Sequence, residues 1–204
     1  MKKIVVVALI LICVLSLFSL GWCQEETPTP APTNVEDKAT AEAEGKSSGF
    51  IWALFGAAMA AFLGGVGSSI GTGIAGMAAS GLISREPEKF VPTLILQALP
   101  GTQGIYGFLG ALLVARQLGW LGGGVITPIS AYTGWLFFAA CLPVGITGLL
   151  SGIYQGKVAA AGINIVAKAG TSHVVKGIVY AVVVETYAIL GLIATILLLN
   201  GIKI

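Results

Sequence analysis

The sequence predicts an all-α membrane protein whose four transmembrane helices form two tandem hairpins related by a parallel repeat. Three observations lead there. The 204 residues are 56% hydrophobic and only 10% charged, with a mean hydropathy of +0.93, whereas a soluble domain averages about 25% charged residues. Four apolar stretches, at roughly 50–84, 92–117, 131–168 and 174–200, each exceed the ~20 residues that a helix needs to cross a bilayer. The segment Gly67-Ser-Ser-Ile-Gly71-Thr-Gly-Ile-Ala75 recurs as Gly152-Ile-Tyr-Gln-Gly156-Lys-Val-Ala-Ala160, at a shift of 85 residues. Each copy is followed by a short charged loop and another apolar helix, so the repeating unit is a helical hairpin.

Residues 1–23 open with Lys2 and Lys3, continue as an apolar run from Ile4 to about Leu20, and end with the small residues Gly21 and Cys23 before Gln24. This is the layout of a cleaved signal peptide, with an uncleaved anchor helix as the alternative. Residues 24–49 hold Pro28, Pro30 and Pro32, much Thr and Ala, and six acids against two lysines. They offer too little apolar surface for a core and read as a disordered acidic tail.

The first hairpin is expected over 50–117 and the second over 131–200. Arg85 and Lys89 follow the first span, Lys168 and Lys176 lie between the third and fourth, and the connection 118–130 carries no charge. An excess of Lys and Arg marks the cytoplasmic side. The loops 85–91 and 168–176 are therefore expected in the cytoplasm, and both chain ends outside. Export of the tail by the leader gives the same topology. Small residues recur every fourth position, at Gly67, Gly71, Ala75 and Ala79, and again at Gly152, Gly156 and Ala160. On a helix these form one stripe with almost no side chain, along which backbones approach closely.

Beyond residue 45 the acids are Glu86, Glu88 and Glu185. Solvation explains the two in the Arg85-Glu86-Pro87-Glu88-Lys89 loop. Glu185 lies nine residues beyond Lys176, about 13 Å along a helix and so near mid-membrane. A carboxylate there costs on the order of 3 kcal/mol or more, and such residues mark ion pathways. The low dielectric demands that a proton or a cation neutralise it. Gln103 is 11 residues past Pro92 and Gln155 is 13 residues before Lys168, about 16 and 20 Å by the same rise. Thr102 adjoins Gln103. These four side chains reach a similar depth, and their carboxylate, amide and hydroxyl oxygens suit a hard cation. Pro100-Gly101 precedes Thr102 directly. A proline removes the donor that would bond the Leu96 carbonyl, and the kink exposes backbone oxygens.

Other chemistries find no support in the sequence. Cys13, Cys23 and Cys141 form no CxxC pair, and the single His173 has no metal-ligand companion. No P-loop or nucleophile–base pair is present, no cofactor is indicated, and no basic cluster with interleaved aromatics points to nucleic acid.

Three segments resemble a known family: Leu96-Gln-Ala-Leu-Pro-Gly-Thr-Gln-Gly-Ile-Tyr-Gly-Phe108, Ser151-Gly-Ile-Tyr-Gln-Gly-Lys-Val-Ala-Ala-Ala-Gly162 and Val184-Glu-Thr-Tyr-Ala-Ile-Leu-Gly191. They are similar to the proteolipid subunit, K or c, of V/A-type rotary ATPases, over about residues 50–200. The family usually begins near its first membrane helix, so the leader and tail are a departure. The resemblance implies a homo-oligomeric rotor ring in the bilayer. The ring would turn against a static membrane subunit bearing an arginine and dock a central stalk at its cytoplasmic loops. ATP chemistry would lie in other subunits, and the cell membrane of a prokaryote is the expected location. Sodium-binding members use a Leu carbonyl, a Thr, two Gln and a Glu, positions matched here by Leu99, Thr102, Gln103, Gln155 and Glu185, with Tyr106 at the position of a bracing tyrosine. Retention of that set implies Na⁺ as the transported ion, whereas H⁺ would need only Glu185 and a neighbouring acceptor. One carboxylate then serves each four-helix subunit. A stand-alone ion channel or a secondary carrier built from parallel repeats is the alternative function.

Overall fold

The computed structural model describes residues 35–121 and 128–204, with side chains described from Ser48 onward. The leader predicted over 1–23 lies outside the described residues, as does the start of the tail. The chain divides into two compact units, Met1–Glu42 and Ala43–Ile204. Of the first, only the opening turns of a helix are described. The membrane-spanning helices belong to the second.

Every described element is helical. α1 runs Val35–Ile83, α2 Phe90–Ala98, α3 Thr102–Gln117, α4 Ala131–Ala169 and α5 Val174–Gly201. Three short 3₁₀ turns, Pro87–Lys89, Leu99–Gly101 and Thr171–His173, join them. Among the described residues, four stretches are long and apolar enough to cross a membrane: Ser48–Ile83, Pro87–Gln117, Ala131–Ala169 and Thr171–Gly201.

The first helix starts earlier than the sequence predicts. Residues 35–49, expected to belong to a disordered tail, are helical. Val35–Lys46 lacks proline and is rich in Ala, Glu and Lys, all good helix formers. An existing helix also extends at little cost once the apolar span has nucleated it.

α1 and α4 pack through glycine on both sides. A Cβ built on Gly71 would overlap the Gly152 carbonyl oxygen, and one on Gly156 would overlap the Gly71 Cα. The backbones themselves are in contact, which a lipid chain cannot reproduce. Gly71→Ala is therefore expected to destabilise the bundle by about 1–3 kcal/mol. At Gly101 an added Cβ meets only Thr72 Cγ2, at 3.9 Å, so Gly101→Ala should be silent. Thermal unfolding of the two variants in mild detergent compares them directly.

Polar bridges tie the helices where apolar contact alone would leave the register loose. Thr195 of α5 accepts the Val144 N–H at 3.1 Å, directly after Pro143 inside α4. Lys89 is buried, bridges Glu86 at 2.5 Å and donates to the Ala167 carbonyl at 3.3 Å. A cation thus meets the last turn of α4, where carbonyls are unpaired and the helix dipole is negative. Gly170 ends that helix at φ 92°, a conformation that L side chains rarely adopt. At the other end of the bundle Trp52 stacks on Trp135 at 4.1 Å and Phe55 on Phe138 at 5.6 Å.

Candidate ion-binding site

α5 carries Glu185 to the middle of the bundle, where its side chain is only partly buried. Tyr106 of α3 donates its hydroxyl to Oε1 at 2.8 Å. Gln155 of α4 donates its amide to Oε2 at 3.4 Å. Gln155 in turn accepts a short hydrogen bond from the Gln103 amide. Gln103 and Gln155 are both fully buried. Three helices therefore each supply at least one polar side chain to one connected network. Burial of two uncharged amides is tolerated because each meets a partner.

Ser151 completes the network, although the sequence does not single it out. It accepts from Gln103 at 3.2 Å and donates at 3.1 Å to the carbonyl of Val184, the residue before Glu185. Its only sequence signal is its place one turn before Gln155 on the same face of α4. Ser68 of α1 is a second such residue. It accepts the Gly104 N–H at 2.7 Å and so fixes the turn that presents Gln103.

Pro100 acts differently from a simple kink. The backbone tightens into the 3₁₀ turn Leu99–Gly101, and the Leu99 carbonyl accepts both the N–H and the hydroxyl of Thr102, the latter at 3.1 Å. Leu99 and Thr102 are thus paired with each other, not with Glu185. Thr102 joins the cluster through Tyr106, for which it is a second side-chain partner.

Two buried amide oxygens among the described residues, Gln103 Oε1 and Gln117 Oε1, have no hydrogen-bond partner, and of these Gln103 Oε1 belongs to the cluster. An orphaned buried acceptor calls for a donor or a cation. It belongs to the same amide that links Ser151 and Gln155, so the cluster holds an unused oxygen beside its carboxylate chain. Among the described residues no group of three or more His, Cys, Asp or Glu could hold a transition metal. The carboxylate, hydroxyl, carbonyl and amide oxygens present are ligands of the kind that hard cations prefer.

The sequence model of the ATP synthase C-subunit family matches the chain twice, over residues 55–114 and 138–198. The chain belongs to that family. The two matches cover one hairpin each and start at an offset of 83 residues, two fewer than the glycine stripes alone suggest. That offset pairs Trp52 with Trp135, Phe55 with Phe138 and Ser68 with Ser151. Among relatives, the V-type sodium ATPase subunit K of Enterococcus hirae is 48% identical over 153 residues, which is 75% of this chain and 93% of that protein. The A-type ATP synthase subunit K of Methanocaldococcus jannaschii is 41% identical over 147 residues, 72% of this chain and 61% of that protein. The human 16 kDa proteolipid of the V-type proton ATPase is 28% identical over 151 residues, 72% of this chain and 90% of that protein.

Proposed function

We propose that this protein forms the membrane rotor ring of a V/A-type ATPase or ATP synthase and moves Na⁺ by reversible binding at Glu185. The observation that carries the reading is the Tyr106–Glu185–Gln155–Gln103 network with its unused Gln103 oxygen. A side-chain amide presents either its oxygen or its NH₂ to a neighbour by a half-turn about its last torsion. With Na⁺ present, Gln103 and Gln155 turn their oxygens to the ion beside the Glu185 carboxylate, while Thr102 and the Leu99 carbonyl supply oxygens from the 3₁₀ turn. Tyr106 holds the carboxylate in its binding orientation. The identity to a V-type sodium ATPase subunit K over most of both chains supports Na⁺ over H⁺.

The protein itself performs no ATP chemistry. Each Glu185 loads and releases one ion as the ring passes a static arginine-bearing subunit, and other subunits link that passage to ATP. The basic residues Arg85, Lys168 and Lys176 favour loops 85–91 and 168–176 on the cytoplasmic side, where a central stalk docks.

A carbodiimide reacts with a protonated carboxyl group, which identifies the ion. Labelling of Glu185 in the purified oligomer is expected to fall as Na⁺ is raised into the millimolar range, because bound Na⁺ excludes the proton. Labelling indifferent to Na⁺ at every pH would leave H⁺ as the transported ion.

A further inference from the structure

The buried network has a direction, set by which of its groups carry hydrogens. An ionised carboxylate and a backbone carbonyl only accept, an amide has two hydrogens and one oxygen, and a hydroxyl has a single hydrogen. The network ends on an acceptor at both sides. At one end Gln155 turns its NH₂ to the Glu185 carboxylate, at 3.4 Å, which leaves its oxygen facing Gln103. At the other end Ser151 gives its one hydrogen to the Val184 carbonyl, at 3.1 Å. Toward Gln103 it can therefore only accept, and it does so at 3.2 Å. Ser151 is 5% exposed, so the protein and not solvent supplies its partners. The Gln103 NH₂ is thus engaged by Ser151 and Gln155 together, and the Gln103 oxygen is the atom left over.

This order of hydrogens belongs to the ion-free site. Na⁺ binding turns the Gln103 oxygen to the ion, and the reversed amide no longer offers Ser151 an N–H. Ser151 must then face that oxygen with a lone pair or leave Val184 to meet it. Either way, at least one hydrogen bond of the ion-free arrangement has no counterpart in the ion-bound one.

We propose that Ser151 is a release residue: its hydroxyl, anchored on Val184, holds Gln103 in the ion-free orientation and so lowers the affinity of the site for Na⁺. The inference rests on the ion-binding reading and on reversal of the Gln103 amide within it. Ser151 acts through Gln103 and is a positioning residue. A group that favours one of two states weakens a ligand of the other state by the same factor. A site that moves ions has to empty as well as fill, and the Ser151–Gln103 bond favours the empty state as the ion leaves. Its anchor also reaches the backbone beside the carboxylate, because Val184 directly precedes Glu185. The first hairpin puts the same hydroxyl to a different use. Ser68, the counterpart of Ser151 under the 83-residue offset, accepts the Gly104 N–H at 2.7 Å. That donor is backbone and cannot reverse.

Carbodiimide labelling of Glu185 in the purified oligomer, titrated with Na⁺, tests this by the sign of the effect. In Ser151→Ala the half-maximal Na⁺ concentration for protection should fall by about three- to tenfold, which corresponds to one uncharged hydrogen bond. Damage to packing around the site would raise it instead. Ser151→Cys keeps nearly the same side-chain volume with a sulfur that accepts only weakly, and should shift the concentration in the same direction. Ser68→Ala removes the counterpart hydroxyl and should not lower it. Radioactive Na⁺ should also wash out of loaded Ser151→Ala oligomer more slowly than out of the unmodified protein. An unchanged or higher half-maximal concentration in Ser151→Ala, with the unmodified protein protected, would overturn this role and leave the ion site standing. A fall in Ser68→Ala as large as in Ser151→Ala would overturn it too. Labelling of the unmodified protein indifferent to Na⁺ would reject the ion site, and this role with it.

Discussion

Glu185→Gln is expected to leave an assembled oligomer that transports no ion at all. The substitution is nearly isosteric, so Tyr106 and Gln155 keep a partner at that position and the bundle should fold and assemble as before. What disappears is the only carboxylate at the depth of the cluster among the described residues. A neutral amide neither releases a proton nor balances the charge of a cation, so loading and unloading both stop. Ion uptake by reconstituted complexes, compared with oligomer mass in native gels, reads the two properties separately. Transport at more than background by an assembled variant would remove Glu185 from the mechanism.

Gln155→Leu is expected to have the next largest effect. Gln155 is the only residue that bonds both Glu185 and Gln103, and it is fully buried. Leucine fills a similar volume but leaves the Glu185 Oε2 and one Gln103 donor without that partner. Loss of one hydrogen bond to a charged group costs about 1.5–3 kcal/mol, or roughly ten- to a hundredfold in ion affinity. Half-maximal Na⁺ concentration for protection against carbodiimide should rise by that factor while the protein remains folded. An unchanged half-maximal concentration would show that Gln155 does not sense the ion.

The spans were legible because the bilayer imposes a length and a polarity that few other environments demand. The described helices that qualify fall within a few residues of the apolar stretches. Glu185, Gln103 and Gln155 were legible by depth alone, since a polar side chain at mid-membrane carries a cost that ordinary packing does not repay. Tyr106 and Leu99 were not, and came only from resemblance. A tyrosine in an apolar helix has no such cost, and a backbone carbonyl leaves no trace in the sequence. Ser151 and Ser68 escaped for a related reason, because a small hydroxyl within a glycine-rich stretch looks like one more small residue.

The repeat register shows a different limit. Small residues every fourth position align with their copy at more than one offset, so Gly67 and Gly71 matched Gly152 and Gly156 as readily as they could match anything else. The bulkier pairs Trp52/Trp135 and Phe55/Phe138, which stack in the structure, decide for 83. The tail shows a third. Low hydrophobicity argued for disorder, but helix propensity and continuity with α1 count for more from Val35 onward.

The central claim is that each chain holds one transported ion, and holds it at Glu185. Equilibrium binding of radioactive Na⁺ to the purified oligomer tests it most directly, run beside Glu185→Gln at the same protein concentration. The account predicts one Na⁺ per chain in the native protein and none in the variant. Equal binding in the two, or none in either, would contradict it.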